Sequence, residues 1–351
     1  MTFTRFESIG AYLPTDIVST RELVSRMQFA PMFDLEQITG IQNRRVHGKK
    51  GGVIEDSFVL AAAAAKDCLA RSRYRVEDLD VVISTSITRY KDGYHLYFEP
   101  SFALMLKRAL GATHAMHFDL SNACGGMMTG VYVLDQMIKA GVVKNGIVIS
   151  GECITPIADT AVREISEPFD AQFGSLTVGD SGAAVVLDES TSDQDRIHYI
   201  DMMTCAAYAK LCIGMPSTIN AGPALYTNNL EMHKKERIAL WPKFQGELLA
   251  KMGRKFDDEK FDYIVHHQVG LKAVNNFSRF GGALFGSEQM PPPLNVLEDF
   301  GNTASTSHFV VLHQHLKKKT LEKGAKLLLV PAASGMVTGC VSTTISSLEV
   351  Q

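Results

Sequence analysis

The stretch Asp119-Leu-Ser-Asn-Ala-Cys-Gly-Gly-Met-Met-Thr-Gly130 decides how the rest of the chain is read. A strand-like apolar run, Ala115 to Leu120, leads into it. A helical pattern of Met127, Met128, Val131, Leu134, Met137 and Ile138 leads out. Cys124 therefore falls at a strand-to-helix turn, near the positive end of a helix, where unpaired N–H groups favour a thiolate. Gly125 and Gly126 leave room for a substrate to approach the backbone. A cysteine in such a turn is either a nucleophile or a buried structural thiol, and the local pattern leaves both readings open.

Outward from this turn, strand-like and helical runs alternate, which predicts an α/β fold. Asp80–Ser86, Gly146–Gly151 and Gly182–Asp188 are nearly continuous apolar runs, as expected of strands covered on both faces. The second half of the chain repeats the theme. Phe261–His267 echoes Leu79–Ser84, Lys323–Val330 echoes Val143–Ser150, and Gly339–Ile345 plays the part of the third strand. The spacing from Val81 to Ile147 nearly equals that from Tyr263 to Leu327, which predicts two related halves. The join is expected near Asp188–Ile197, where Asp, Glu, Ser and Thr crowd together, giving halves of 1–190 and 191–351. The Tyr-rich segment 87–101 and the segment 202–245, which holds the single Trp241, read as loops or caps around a pocket.

With 46% hydrophobic and 21% charged residues in 351, the composition is that of an ordinary globular protein. A formal net charge of −3 gives no indication of nucleic-acid binding. No basic-then-apolar leader and no membrane-length apolar run occurs, so a cytoplasmic protein without membrane attachment is expected. The six Cys include no CxxC pair and the eleven His no HExxH, so reduced thiols and no metal are expected. His313 and His315, followed by a Lys run, suit a solvated helix end.

Three further positions stand out. His267 closes a buried strand, where open α/β sheets build their sites, while His266 should point to the opposite face. Either histidine alone is more often a core or surface residue than a catalyst. Asn302, in Asp-Phe-Gly-Asn-Thr-Ala-Ser-Thr-Ser (299–307), is either a turn or capping residue or a neutral donor aimed into a pocket. Gly335, in Ala332-Ala-Ser-Gly-Met-Val-Thr-Gly339, is either a plain turn or the source of an N–H for an oxyanion.

Taken together and in this order, the motifs resemble those of β-ketoacyl-acyl carrier protein synthase III and its ketosynthase relatives in the thiolase superfamily. Ile9-Gly-Ala-Tyr-Leu-Pro14, Thr39-Gly-Ile41, Ser121–Gly126, Val178-Gly-Asp-Ser-Gly-Ala183, His267-Gln268, Gly301-Asn-Thr303 and Ser334–Gly339 carry the resemblance over nearly the whole chain. The resemblance implies a thiolase-like fold, two pseudo-duplicated halves forming a layered αβαβα core. It also implies acyl transfer from a thioester to Cys124, with the N–H groups of Cys124 and Gly335 as oxyanion hole. His267 and Asn302 would then support decarboxylative condensation with a malonyl-type thioester, in fatty-acid or polyketide biosynthesis. The alternative is a same-fold acyltransferase that moves an acyl group to oxygen or nitrogen without decarboxylation. The implied partners are acyl carrier protein, acyl-CoA or malonyl thioesters, and a second copy of the chain; no metal or redox cofactor is implied.

Three departures from the family pattern matter. The stretch Phe33–Ile38 before Thr39 lacks the Trp and Arg that grip the coenzyme A adenine in housekeeping members, which favours carrier-protein delivery. Lys272 stands where the family has an Arg at the phosphopantetheine entrance; it is either a point charge for phosphate or carrier protein, or a solvated helix residue. Phe98 matches the aromatic that closes the partner's acyl pocket across a homodimer. The added Tyr residues around it point to a specialised starter unit.

Overall fold

The structure is a computed structural model and describes residues 2–29 and 31–350. Two twisted sheets lie back to back. The first runs in the order Phe3–Tyr12, Ser181–Ser190, Asn145–Glu152, Val81–Ser84 and Met116–Asp119. The second runs in the order Arg196–Thr204, Val337–Ile345, Ala325–Val330 and Tyr263–His266. The strand pairs matched in the sequence occupy matching places. Ile147–Ile149 lies parallel to Val82–Ser84, as Leu327–Val330 lies parallel to Tyr263–His266. At the edge of the second sheet, Ile264 bridges Pro293 where the first sheet has Met116–Asp119. Pro291, Pro292 and Pro293 cannot donate to a ladder, so only Leu294 N→Ile264 O (2.9 Å) and Ile264 N→Pro292 O (3.2 Å) remain of a fifth strand.

Between the sheets lie two buried helices, Gly126–Lys139 and Ser307–Lys317. Met127, Val131, Leu134, Phe309 and Leu312 on these helices share one apolar cluster with Val148, Val185, Leu327 and Val341 from both sheets. Helices cover the outer faces, completing the αβαβα layering of the thiolase-like fold. The helix Ser57–Leu69 is alanine-rich for a steric reason. A β-carbon on Gly151 would sit 2.0 Å from Ser57 O and one on Gly182 2.1 Å from Leu60 O, so helix and sheet meet at backbone distance. On the other outer face Trp241, Leu249 and Phe256 pack on Ile264, Leu328 and Cys340.

Three local expectations differ from what is found. The segment 202–245 does border a pocket, as expected of a cap, but it is not irregular: it contains the hairpin Cys212–Pro216/Pro223–Thr227 and the start of the helix Leu240–Lys251, and Trp241 is buried. The segment 87–101 folds a short hairpin, Tyr90–Lys91 against His95–Leu96. His313 is buried rather than solvated, because Asp67 from another helix lies 3.3 Å from its Nε2. Among the described residues no helix is long and apolar enough to cross a membrane.

Candidate active site

The turn that carries Cys124 is tightly specified. Ala123 adopts φ 46°, in the left-handed region, and a single 3₁₀ turn, Ala123–Gly125, passes directly into the helix Gly126–Lys139. Asn122 Nδ2 donates to Thr129 Oγ1 (2.8 Å), which donates to Gly125 O (2.8 Å). A β-carbon on Gly126 would lie 2.8 Å from Thr85 O, so glycine lets the helix start press against a strand end. Around the sulfur pack Ile154, Ile157, Ala158, Val178 and Ala304.

That apolar collar changes the expected charge state. Burial pushes the Cys124 thiol well above its ordinary range, Cys212 and Glu152 push it further, and its own backbone N–H acts the other way. Burial also lowers His267 to about 3, with His308 adding to the effect. Both shifts favour a thiol and a neutral imidazole at rest over the thiolate expected from helix position alone.

His267 follows the strand Tyr263–His266 and is held by its backbone N–H on Val330 O (3.1 Å). Its Nδ1 is buried without a hydrogen-bond partner. The same Val330 carbonyl accepts from His308 Nε2 (3.1 Å), and the two imidazoles stack at 6.3 Å. His266 makes different contacts, with its Nε2 3.1 Å from Ser278 Oγ and its ring 5.2 Å from that of Trp241, yet it lines the same cavity as His267, against the separation expected from strand alternation.

Asn302 is set by Gly301, which takes φ 63° and whose added β-carbon would lie 2.6 Å from Thr177 O. Asn302 N donates to Thr177 O (2.9 Å) and its carbonyl accepts from Gly179 N (3.0 Å). Its side chain accepts from Ala304 N at 3.0 Å. Only the amide oxygen can accept from an N–H, so Nδ2 is the atom left to donate elsewhere. The turn reading of Asn302 is thus met by its oxygen, and the side chain is left with an uncommitted donor on the cavity lining.

Cys124, His267 and Asn302 line a single cavity of ≈ 510 Å³. Phe33, Phe173, Leu225, Trp241 and Phe277 give it a largely apolar wall, and Phe33 packs on Phe173 at 5.4 Å. Lys272 is exposed and lies on the lining. Gly335 (φ 129°) lies between the lining residues Ser334 and Met336, in a turn fastened to Cys205 by paired backbone bonds of 2.7 and 3.1 Å. This turn abuts that of Cys124, because a β-carbon on Gly125 would stand 3.4 Å from Ala333 Cβ. Phe98 is not part of this cavity; it is 80% exposed.

Sequence reading missed His308 and a second thiol on the lining, Cys212. A lone His within the apolar run Ser307–Leu312 is the only local sign of the first. A further group of ligand-type side chains, His47, Cys153 and Asp180, lies outside the cavity with its ligand atoms within 4.8 Å of one another. Asp180 already accepts from Ile154 N, Thr155 N, Thr155 Oγ1, His47 N and His47 Nδ1, so it has no lone pair free for a cation. Its role is to orient His47, whose Nε2 meets the hydroxyl of Tyr94 on the segment 87–101.

A thiol on a strand-to-helix turn, with an imidazole and a carboxamide facing the same cavity between two duplicated sheets, defines a thiolase-fold acyl-condensing enzyme. Family comparison agrees. Residues 118–205 match 3-oxoacyl-[acyl-carrier-protein (ACP)] synthase III, and residues 253–345 match the C-terminal part of the same family. The chain is 27% identical to the β-ketoacyl-[acyl-carrier-protein] synthase III of Clostridium novyi (strain NT), covering 95% of this chain and 97% of that one. It is 26% identical to that of Neisseria gonorrhoeae (strain NCCP11945), over 97% and 99%. Among solved structures, 3-oxoacyl-[acyl-carrier-protein] synthase III from Aquifex aeolicus VF5 superposes with a TM-score of 0.78 at 22% identity, covering 97% of this chain and 99% of that one. Xanthomonas campestris OleA with bound lauric acid and lauroyl-CoA gives 0.81 at 21%, over the same shares. The chain belongs to the β-ketoacyl-acyl carrier protein synthase III-like ketosynthases.

Proposed function

We propose that the protein is a decarboxylating β-ketoacyl synthase, with Cys124 as nucleophile and His267 and Asn302 as the enolate-stabilising pair. The observation that carries this reading is the shared cavity, with the Asn302 oxygen occupied by Ala304 N–H so that its Nδ2 is free to donate.

In the first half-reaction the Cys124 sulfur attacks a thioester carbonyl. The N–H groups of Cys124 and Gly335 receive the oxyanion, the helix Gly126–Lys139 adds its positive end, and the departing thiol carries off the sulfur's proton. The neutral resting thiol fits this order, since charge develops only as the bond forms. In the second, the carboxylate of a malonyl-type thioester leaves as carbon dioxide and its electron pair becomes an enolate. His267 and Asn302 donate to the enolate oxygen. A proton on Nε2 of His267 suits this, because the buried Nδ1 then leaves only a lone pair unmet. The carbanion attacks the acyl carbon, the C–S bond breaks with its electron pair going to sulfur, and the Cys124 thiolate takes a proton from solvent water as the β-ketoacyl product leaves. The thioester supplies the activation, so neither metal nor redox cofactor takes part.

Acyl groups reach the cavity on coenzyme A or acyl carrier protein, past Lys272 at the lining. A second copy of the chain is the remaining partner. Met116–Asp119 is the edge strand of the first sheet, and Phe98 is exposed in the segment that precedes the neighbouring helix Phe102–Leu110. Mixing the protein with acyl-CoA and acyl-carrier-protein donors should add the acyl mass to native enzyme and not to Cys124→Ala, read by intact mass spectrometry. Adding a malonyl thioester should then release carbon dioxide. Ester or amide product without carbon dioxide would replace this reading by the acyltransferase alternative.

A further inference from the structure

A carboxyl group lies fully buried close to the nucleophile. Glu152 ends the strand Asn145–Glu152, has 0% exposure, and contributes to raising the Cys124 thiol. Its Oε1 accepts from Ile87 N (3.0 Å), Ser150 Oγ (2.9 Å) and Ser305 Oγ; its Oε2 accepts from Thr88 N and Thr88 Oγ1, both at 3.2 Å. Most of these partners come from the first half of the chain. Ser305 comes from the second, three residues beyond Asn302, and its hydroxyl also lies 2.7 Å from Ser150 Oγ.

We infer that Glu152 and Ser305 are positioning residues that hold the Asn302 amide at the angle decarboxylation requires; the inference rests on the decarboxylating reading above. The orientation of the amide depends on one contact, Asn302 Oδ1 with Ala304 N (3.0 Å). Ala304 sits at φ 52°, a conformation that a residue with a β-carbon adopts only when its surroundings impose it. The next residue supplies that constraint, since Ser305 ties the turn to Glu152 and Ser150. Thr306 ties it a second time, with its Oγ1 2.6 Å from Ser181 Oγ. Without the Ser305 anchor the turn relaxes, Ala304 N–H moves, and the carboxamide loses the acceptor contact that aims Nδ2. The Cys124 turn has its own hydrogen-bonded fastening through Asn122 and Thr129 and meets this one only by the packing of Ala304 beside the sulfur, so losing the anchor should disturb acylation far less than decarboxylation.

The test measures two rates in the full-length protein: acyl mass gained at Cys124, and carbon dioxide released when the acylated enzyme meets a malonyl thioester. In Ser305→Ala the first should stay within about twofold of native while the second falls about ten- to hundredfold, the scale of a small misplacement of a reacting group. Because Ser305 acts through Asn302, Ser305→Ala combined with Asn302→Ala should be no slower than Asn302→Ala alone. A purely structural role would lower both rates together and slow the double variant further, and either result overturns the inference, as does native-rate condensation by Ser305→Ala. If Ser305→Ala does not fold, Glu152→Gln, which keeps the side-chain volume, decides through carbon dioxide release and the double variant with Asn302→Ala, because losing the Glu152 charge also eases ionisation of Cys124 and moves the acylation rate. Native enzyme that takes up acyl groups but releases no carbon dioxide would instead end the decarboxylating reading, whatever the variants do.

Discussion

In the proposed mechanism Asn302 does two jobs with one amide, and Asn302→Asp separates them. A carboxylate keeps an acceptor for Ala304 N–H, so the cap at 3.0 Å survives. It removes the donor facing the cavity and puts negative charge in its place. Losing one preorganised donor at a developing oxyanion costs about 10²–10³ in rate. A carboxylate about 4 Å from the enolate oxygen adds a repulsion of about 4 kcal/mol at an effective dielectric of about 20. Asn302→Ala loses the donor as well but adds no charge; it also strands the Ala304 N–H, at about 1 kcal/mol of stability. The two variants should therefore rank in opposite orders. Asn302→Asp should be the more stable in urea and the slower in condensation, while both still acquire an acyl group on Cys124. The assay is carbon dioxide release from a malonyl thioester at pH 8, with acylation followed by intact mass. Condensation by Asn302→Asp within tenfold of native, or faster than by Asn302→Ala, would refute the donor role.

Two further outcomes follow from the charge states. Because burial raises the Cys124 thiol and lowers His267 to about 3, alkylation of Cys124 by iodoacetamide should rise about tenfold per pH unit from pH 6 to 9. Peptide mass mapping distinguishes Cys124 from the other thiols, and a rate plateau extending below pH 6 would mean a thiolate–imidazolium pair instead. The buried imidazoles of His266 and His267, lowered to about 3, and His308, lowered to about 4, bind protons in the unfolded chain before the native one. Stability from these groups is complete above pH 6.5 and is lost as pH falls toward 4, by about 2 kcal/mol per histidine between pH 7 and 5. His47, raised through its bond to Asp180, works in the opposite direction and offsets part of this. Urea midpoints at pH 7, 6 and 5 should fall steadily; an unchanged midpoint would show that these rings accept protons without unfolding.

How much of this was legible in the sequence depends on the distance over which each feature is determined. The Cys124 turn was legible because its causes are local: two glycines after the sulfur, an apolar strand before it and a helical repeat after it. The strand correspondences were legible because a covered strand is apolar whatever its neighbours. The charge on Cys124 was not, since its helix is visible in sequence but the collar of Ile154, Ala158, Val178 and Ala304 comes from other segments. His308 and His313 were unreadable for the same reason: Val330 and Asp67, which account for their burial, are remote in the chain. The hairpin Cys212–Thr227 is hard to read as strands because they are short and carry Gly and Pro, and its register brings Cys212 and Thr227 opposite each other on the lining of the cavity that the segment 202–245 was expected to border.

The duplication gives the site its deepest asymmetry. Ala123 (φ 46°), a 3₁₀ turn and the helix Gly126–Lys139 in the first half are matched by Ala304 (φ 52°), a 3₁₀ turn and the helix Ser307–Lys317 in the second. Both halves thus build the same strained turn ahead of a buried helix, and the residue after the alanine is Cys124 in one and Ser305 in the other. The cysteine faces the cavity; the serine faces Glu152. A turn that in one half exposes a sulfur holds Ser305 against Glu152 in the other, so in the proposed reaction one backbone device would serve acyl transfer and decarboxylation in turn. The two steps should accordingly be separable by mutation, since each turn has its own hydrogen-bonded anchors and the two meet through the cavity and the packing of Ala304 beside Cys124.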